Sequence, residues 1–209
     1  MVFYRVIEKM KINTNKISKL KTRKDFPILI RQMGYKRICE VGVSKGAFLS
    51  VLAVSNPSHL VGVDVWDKYD KEAYRSIPHY NRIFPHDQNK IWRENVQSWA
   101  EKSDLKIDIV VNFSVEASKQ FEDGYFDFVY IDANHTYNSV IADLEAWYPK
   151  IRKGGMLAGH DYFNWTRDEG KVVINCKDGI DYFMKKHNKE KDLMLTREKH
   201  CKSFFFVKD

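Results

Sequence analysis

RICEVGVSKGAFLS, residues 37–50, passes from an apolar run straight into an amphipathic one, with Glu40, Gly42 and Gly46 at the join. RICEVGV reads as a buried strand, and GAFLSVLAVS carries apolar residues at helical spacing. Backbone at such a strand-to-helix turn comes close to a ligand. Gly42 and Gly46 can supply the missing side chain or the unusual dihedrals this requires. Glu40 narrows the choice of ligand. A carboxylate near the end of a buried strand is costly unless it meets a cation or a donor, and a phosphate-binding turn would not want it there. The expected ligand carries an amine rather than a pyrophosphate.

The chain on either side repeats the alternation. HLVGVDVW, KIDIVVNFS, FDFVYIDA and GMLAGHDY read as further strands, with LMLT and SFFFVK near the end. DQNKIWRENVQSWAEK, SVEASKQF, NSVIADLEAWYPKI and KDGIDYFMKKH read as helices. Strands apolar on both faces and separated by helices imply a doubly wound, mostly parallel α/β sheet. Ligands of such sheets sit outside the carboxyl ends of the strands, so the loops after Val43, Asp64, Phe113, Asp132 and Asp161 hold the site. With 209 residues and 44% hydrophobic content, one core and one domain are expected. The Lys-rich residues 1–24 read as a basic lead-in to a domain over 25–209, and the aromatic segment 65–90 as an insertion covering the substrate. Tyr69, Tyr74, His79, Tyr80 and Phe84 crowd that insertion, where aromatic rings would cover a flat or sugar-like ligand or form a satellite core.

Composition excludes more than it assigns. Cys39, Cys176 and Cys201 share no metal-binding or disulfide spacing. Lysines interrupt the N-terminal stretch where a signal-peptide core would lie, and no apolar run has the length of a membrane span, so a cytoplasmic protein is expected. The net charge of +7 is explained by a solvated Lys-rich surface, and nucleic acid is not the expected partner. A homo-oligomer stays open.

Asp64 ends the second strand in VGVD, where a carboxylate can accept both hydroxyls of a ribose, although an Asp there can also be a cap or a surface residue. Glu40, the two glycines and Asp64 together describe a nucleoside with an amino-acid tail. This combination resembles the nucleotide side of class I methyltransferases that use S-adenosylmethionine. The resemblance strengthens over FDFVYIDANHTYNSVIADLEAWYPKIRKGGMLAGHDY, residues 126–162, which is similar to the methyltransferase 24 and macrolide-sugar O-methyltransferase branch. The matching residues are Asp132, His135, Tyr137, Asp143, Trp147, the Gly154–Gly155 turn, His160 and Asp161.

The resemblance implies a seven-stranded Rossmann-like sheet and methyl transfer from S-adenosylmethionine to a hydroxyl of a small molecule or glycan. Glu40, Gly42, Ser44, Gly46, Asp64, Ser114 and Asp132 would bind the cofactor. His135 would take the acceptor proton, with Asp132 beside it. Asp132, His160 and Asp161 would be the ligands of Mg²⁺ or Mn²⁺, with His160 standing where family members have an acidic residue, a set less suited to Mg²⁺. Other readings of the same residues remain. Ser114 is also a good N-cap, Asp132 a cap of the next helix, and Asp161 a partner for Arg152 or Arg167. IDAN lacks the Asp/Asn-Pro-Pro-aromatic tetrad of base methyltransferases, which leaves sugar and other hydroxyls open as acceptors. The alternatives are a non-catalytic binding protein that keeps the fold, or another Rossmann enzyme using a nucleotide cofactor such as NAD.

Overall fold

A computed structural model describes residues 20–68, 86–166 and 172–209. The aromatic cluster expected over the substrate, from Tyr69 to Phe84, and Arg167 lie outside the described residues.

Five strands form the parallel part of the sheet: β1 (Arg37–Val41), β2 (His59–Asp64), β3 (Ile107–Val111), β4 (Phe126–Ile131) and β5 (Ile151–Gly159). Helices separate them: α1 (Phe26–Met33) precedes β1, followed in turn by α2 (Ala47–Ala53), α3 (His86–Glu101), α4 (Ser114–Ser118) and α5 (Tyr137–Trp147). A short hairpin of β6 (Asn164–Thr166) and β7 (Val172–Asn175) leads into α6 (Cys176–Lys186). The chain ends in β8 (Met194–Leu195) and β9 (Phe204–Val207). The sheet order is β3-β2-β1-β4-β5-β9-β8, with β9 antiparallel to both of its neighbours. This is the doubly wound, mostly parallel seven-stranded sheet expected for a single domain.

The alternation of side chains across each strand divides the core in two. Ile38, Phe128 and Tyr130 face α1 and α2, where Phe26, Ile30, Leu49 and Leu52 are buried. Cys39, Val41, Val129 and Ile131 face the other layer, with Leu144, Trp147, Ile180 and Phe183. Helices on both faces explain why these strands are apolar throughout.

Several local expectations are corrected. The first strand ends at Val41, so Gly42 and Val43 already belong to the turn. The expected turn at Gly154–Gly155 is instead a bulge inside β5, where the register with β4 shifts. Gly154 there has φ 76°, and a Cβ on Gly155 would stand 2.8 Å from the carbonyl oxygen of Asp127. Helix α1 and the β6–β7 hairpin had no counterpart in the reading of the sequence. Helix α1 is eight residues long with Pro27 in its first turn, too short for its period to stand out, and it folds because Phe26, Leu29, Ile30 and Met33 are buried on the sheet.

Candidate active site

The strand order reverses at β1, which lies between β2 and β4, and the crevice outside the carboxyl ends of these strands is where an open α/β sheet binds its ligand. A cleft of about 610 Å³ opens there, lined by Glu40, Gly42, Ser44, Asp64, Ser114, Asp132 and His135 among others.

Gly42 is demanded by the chain itself. Its amide donates to the Val63 carbonyl at 2.8 Å, its φ is 95°, and a Cβ would stand 2.0 Å from the Asp132 carbonyl oxygen. Gly46, at φ 82°, caps α2, and a Cβ there would meet the Val96 side chain. The two glycines therefore serve the turn by bringing β1, β4 and α3 together.

Glu40 sits opposite Tyr130 on the neighbouring strand and is 1% exposed. Its Oε2 is buried without a hydrogen-bond partner. Burial first, and then the nearby Asp132 carboxylate, push its pKa well above the ordinary value, and the Arg23 guanidinium counters only part of this. A group in this state gains from any ligand that brings a donor or a positive charge.

Asp64 at the end of β2 accepts from the Ser44 amide at 2.7 Å and the Trp66 amide at 2.9 Å. The Trp66 indole closes the loop by donating to the Ser44 carbonyl at 2.7 Å. Burial lifts the Asp64 pKa despite these backbone donors. The Val43 and Val65 amides also contribute, so four main-chain donors surround the carboxylate. The hydrogen bonds also tie Asp64 to the turn after β1, with Ser44 held at φ 51°.

Ser114 has a role that was not anticipated. Phe113 is the N-cap of α4 and Ser114 the first helical residue. The Ser114 hydroxyl accepts from the Trp147 indole at 3.0 Å and hydrogen-bonds the Asp143 carboxyl. Burial raises Asp143 to about 6. Ser114→Ala strands both partners and is expected to cost about 1–3 kcal/mol, read as a lower urea midpoint at unchanged m-value.

At the other end of the cleft, Asp132 follows β4 and Asp161 follows β5. Asp132 does not cap α5, whose N-cap is Thr136, and Arg152 pairs with Asp127 rather than Asp161. The two carboxylates instead share His135, whose Nε2 is 2.9 Å from Asp161 Oδ2 and 3.6 Å from Asp132 Oδ1. Ligand atoms of Asp132, His135 and Asp161 all lie within 4.8 Å of one another. His160 is not the histidine of this group; its Nδ1 faces the other Asp161 oxygen at 3.0 Å. Asp161 itself takes φ 58° in the loop after β5.

Burial opposes the His135 charge, but its bonds to Asp132 and Asp161 prevail and raise its pKa from 6.5 to about 9. His135 on one side and His160 on the other hold Asp161 well below the ordinary carboxylate value despite its burial. The His135 ion pairs therefore stabilise fully below pH 6.5, and this contribution is lost as pH rises through about 9. The melting temperature is expected to fall across that window, and His135→Gln to flatten the fall.

The sequence reading missed Arg23. Its Nη1 is 2.9 Å from Asp132 Oδ2, its guanidinium lies 5.1 Å from the centre of the Phe48 ring, and it lines the cleft. An arginine in a Lys-rich segment gives no local sign of this.

The sequence pattern described as Methyltransferase domain, Methyltransf_24, matches residues 39–162, which include the β1 turn and both acidic loops. The chain belongs to this methyltransferase family. It is a class I, S-adenosylmethionine-dependent methyltransferase. Its fold is similar to that of the O-methyltransferase TomG from Streptomyces achromogenes, solved with SAM, with TM-score 0.60 and 12% identity over 98% of this chain and 87% of that one. The O-methyltransferase from Bacillus cereus, solved with SAH, gives TM-score 0.54 and 16% identity over 99% and 90%. Among curated proteins, the uncharacterized protein y4gI of Sinorhizobium fredii is 23% identical over 138 residues. That match covers 64% of this methyltransferase and 14% of the relative's length. No helix among the described residues is long and apolar enough to cross a membrane.

Proposed function

We propose that this methyltransferase transfers the methyl group of S-adenosylmethionine to a hydroxyl oxygen of a small-molecule or sugar acceptor. The observation that carries the cofactor half is Glu40, a fully buried carboxylate with an unpartnered oxygen on a cleft that Asp64 and Ser114 also line. A ligand with an amine at one end and a ribose farther along satisfies both carboxylates. The fit is carried by Glu40, which needs a donor, while Asp64 takes a ribose hydroxyl by sharing it with the main-chain donors around it. Oxygen as the acceptor atom is supported by the reaction named for the fold relatives and by a histidine between two carboxylates.

S-adenosylmethionine supplies an activated methyl group on a sulfonium. Glu40 accepts from the amine, Asp64 from the ribose hydroxyls, and the turn from Gly42 to Gly46 closes over the tail between them. Asp132 and Asp161 hold the His135 ring at the reaction end. As the C–O bond forms and the C–S bond breaks, the acceptor oxygen loses its proton to neutral His135. Because His135 is charged below about pH 9, kcat/KM is expected to rise with pH to an apparent pKa near 9. His135→Gln should lower kcat by about 10²–10⁴-fold and remove that limb of the profile.

The expected Mg²⁺ or Mn²⁺ fits the acidic cluster poorly. The donor set is mixed nitrogen and oxygen, suited to Mn²⁺ more than to Mg²⁺. Arg23 engages one oxygen of Asp132, and His135 and His160 engage both oxygens of Asp161. No step of the reaction is assigned to a divalent ion.

Calorimetric titration with S-adenosylmethionine, S-adenosylhomocysteine and NAD tests the reading. Saturable binding of both S-adenosyl ligands, without NAD binding, is the expected result. Absence of heat and of thermal stabilisation with either S-adenosyl ligand would refute it.

A further inference from the structure

Arg23 precedes the stretch shared with the family, yet its side chain reaches the reaction end of the cleft. The turn that carries it is tied down on several sides. Asp25 accepts from the amides of Lys21 at 2.8 Å and Thr22 at 3.0 Å, and Thr22 accepts from the Lys24 amide at 3.2 Å. Leu20 is buried, and its carbonyl accepts from the Arg197 amide at 3.1 Å. The Arg23 amide donates to Glu198 Oε1 at 3.3 Å, while Thr196 donates to the other Glu198 oxygen at 2.6 Å. Residues 20–25 thus form a strap fastened to the β8–β9 connection, with the guanidinium projecting inward over Phe48.

The position of the guanidinium bears directly on the acidic cluster. Asp132 is the residue through which the cluster and the buried Glu40 sense one another, since its charge raises Glu40. Arg23 binds Asp132 Oδ2 from the cleft side, and its charge also moderates Glu40. A divalent ion ligated by Asp132 at about 2.1 Å would stand beside a fixed positive charge, with like-charge repulsion in a partly buried site.

We propose that Arg23 is a built-in counter-cation for Asp132, held in place by the strap, and that it keeps Mg²⁺ and Mn²⁺ off the cluster of Asp132, His135 and Asp161. The arginine supplies one positive charge at the reaction end without a metal. Glu198 is a positioning residue, acting through the Arg23 main chain. The proposal concerns cation affinity and stands apart from the identity of the acceptor.

The test is an electron paramagnetic resonance titration of Mn²⁺ against the full chain, with no S-adenosyl ligand present. The intact protein is expected to bind Mn²⁺ only at millimolar levels or above. Arg23→Gln should bind it at least tenfold more tightly, Arg23→Lys should stay close to the intact protein because the charge is retained, and adding Asp132→Asn to Arg23→Gln should abolish the gain. Micromolar Mn²⁺ binding by the intact protein, or equal affinity in the intact and Arg23→Gln proteins, would overturn the proposal. Should Arg23→Gln not fold by circular dichroism, Glu198→Gln loosens the strap and is read the same way: tighter Mn²⁺ supports the device, and unchanged affinity rejects it.

Discussion

Glu40→Gln is expected to weaken S-adenosylmethionine binding by about a hundredfold while leaving the ligand-free protein as stable as before or more so. The two effects have one cause. In the ligand-free chain the carboxylate is buried, carries an unpartnered oxygen, and has its pKa pushed up by burial and by Asp132. Replacing it with an isosteric amide removes an ionisable group whose charged form the fold disfavours. The melting temperature should hold or rise by about 2–4 °C, the change that about 1 kcal/mol produces in a chain of this size. In the complex the same carboxylate accepts from the cofactor amine, and the amide loses that charge-assisted bond. Calorimetry and a thermal melt on one variant check both signs. A substitution that lowered the melting temperature and left the affinity intact would remove Glu40 from the cofactor site.

Gly42→Ala is expected to cost about 4 kcal/mol or more, so that the melting temperature drops by about 10 °C or the chain fails to accumulate folded. The added methyl would lie 2.0 Å from the carbonyl oxygen and 2.4 Å from the carbonyl carbon of Asp132, and φ is 95°. Neither strand can yield, because the Asp132 amide is held by the Val41 carbonyl at 2.7 Å and the Gly42 amide by Val63. Gly46→Ala is the comparison, since its new methyl meets the Val96 side chain at 2.8 Å rather than main chain. Its cost should be smaller than that of Gly42→Ala, about 2–3 kcal/mol from the positive φ and the shift of Val96. Urea denaturation of both variants checks the ordering, and an equal cost for the two would remove the main-chain clash as the cause.

What could be read along the chain was whatever is carried by a strand and the loop after it. Asp64 and Asp132 each end an apolar run and Glu40 lies next to the end of one, and in a parallel sheet such ends lie on one edge, so their convergence followed from the pattern. Ser114 and Gly42 do line the cleft, and the structure gives Ser114 and both glycines structural work that spacing did not show. Ser114 joins Trp147 and Asp143 as well as lining the cleft, and Gly42 admits the Asp132 backbone. The choice of histidine could not be made from spacing. His135 and His160 both sit near an aspartate, and only the folded loops show that His135 lies between Asp132 and Asp161 while His160 meets Asp161.

The sequence by itself determined the layer architecture and the edge on which the chemistry sits, because the strand period, the buried apolar runs and the turn residues act over a few neighbouring positions. Only the tertiary structure decided the charge arrangement. Arg23 and Asp132 are 109 residues apart, and the strap that joins them is fastened to Glu198, 175 residues from Arg23. Such partners leave no local period. They meet because the sheet brings the far end of the chain back beside its beginning, and the electrostatics of the site follow from distances that only packing sets.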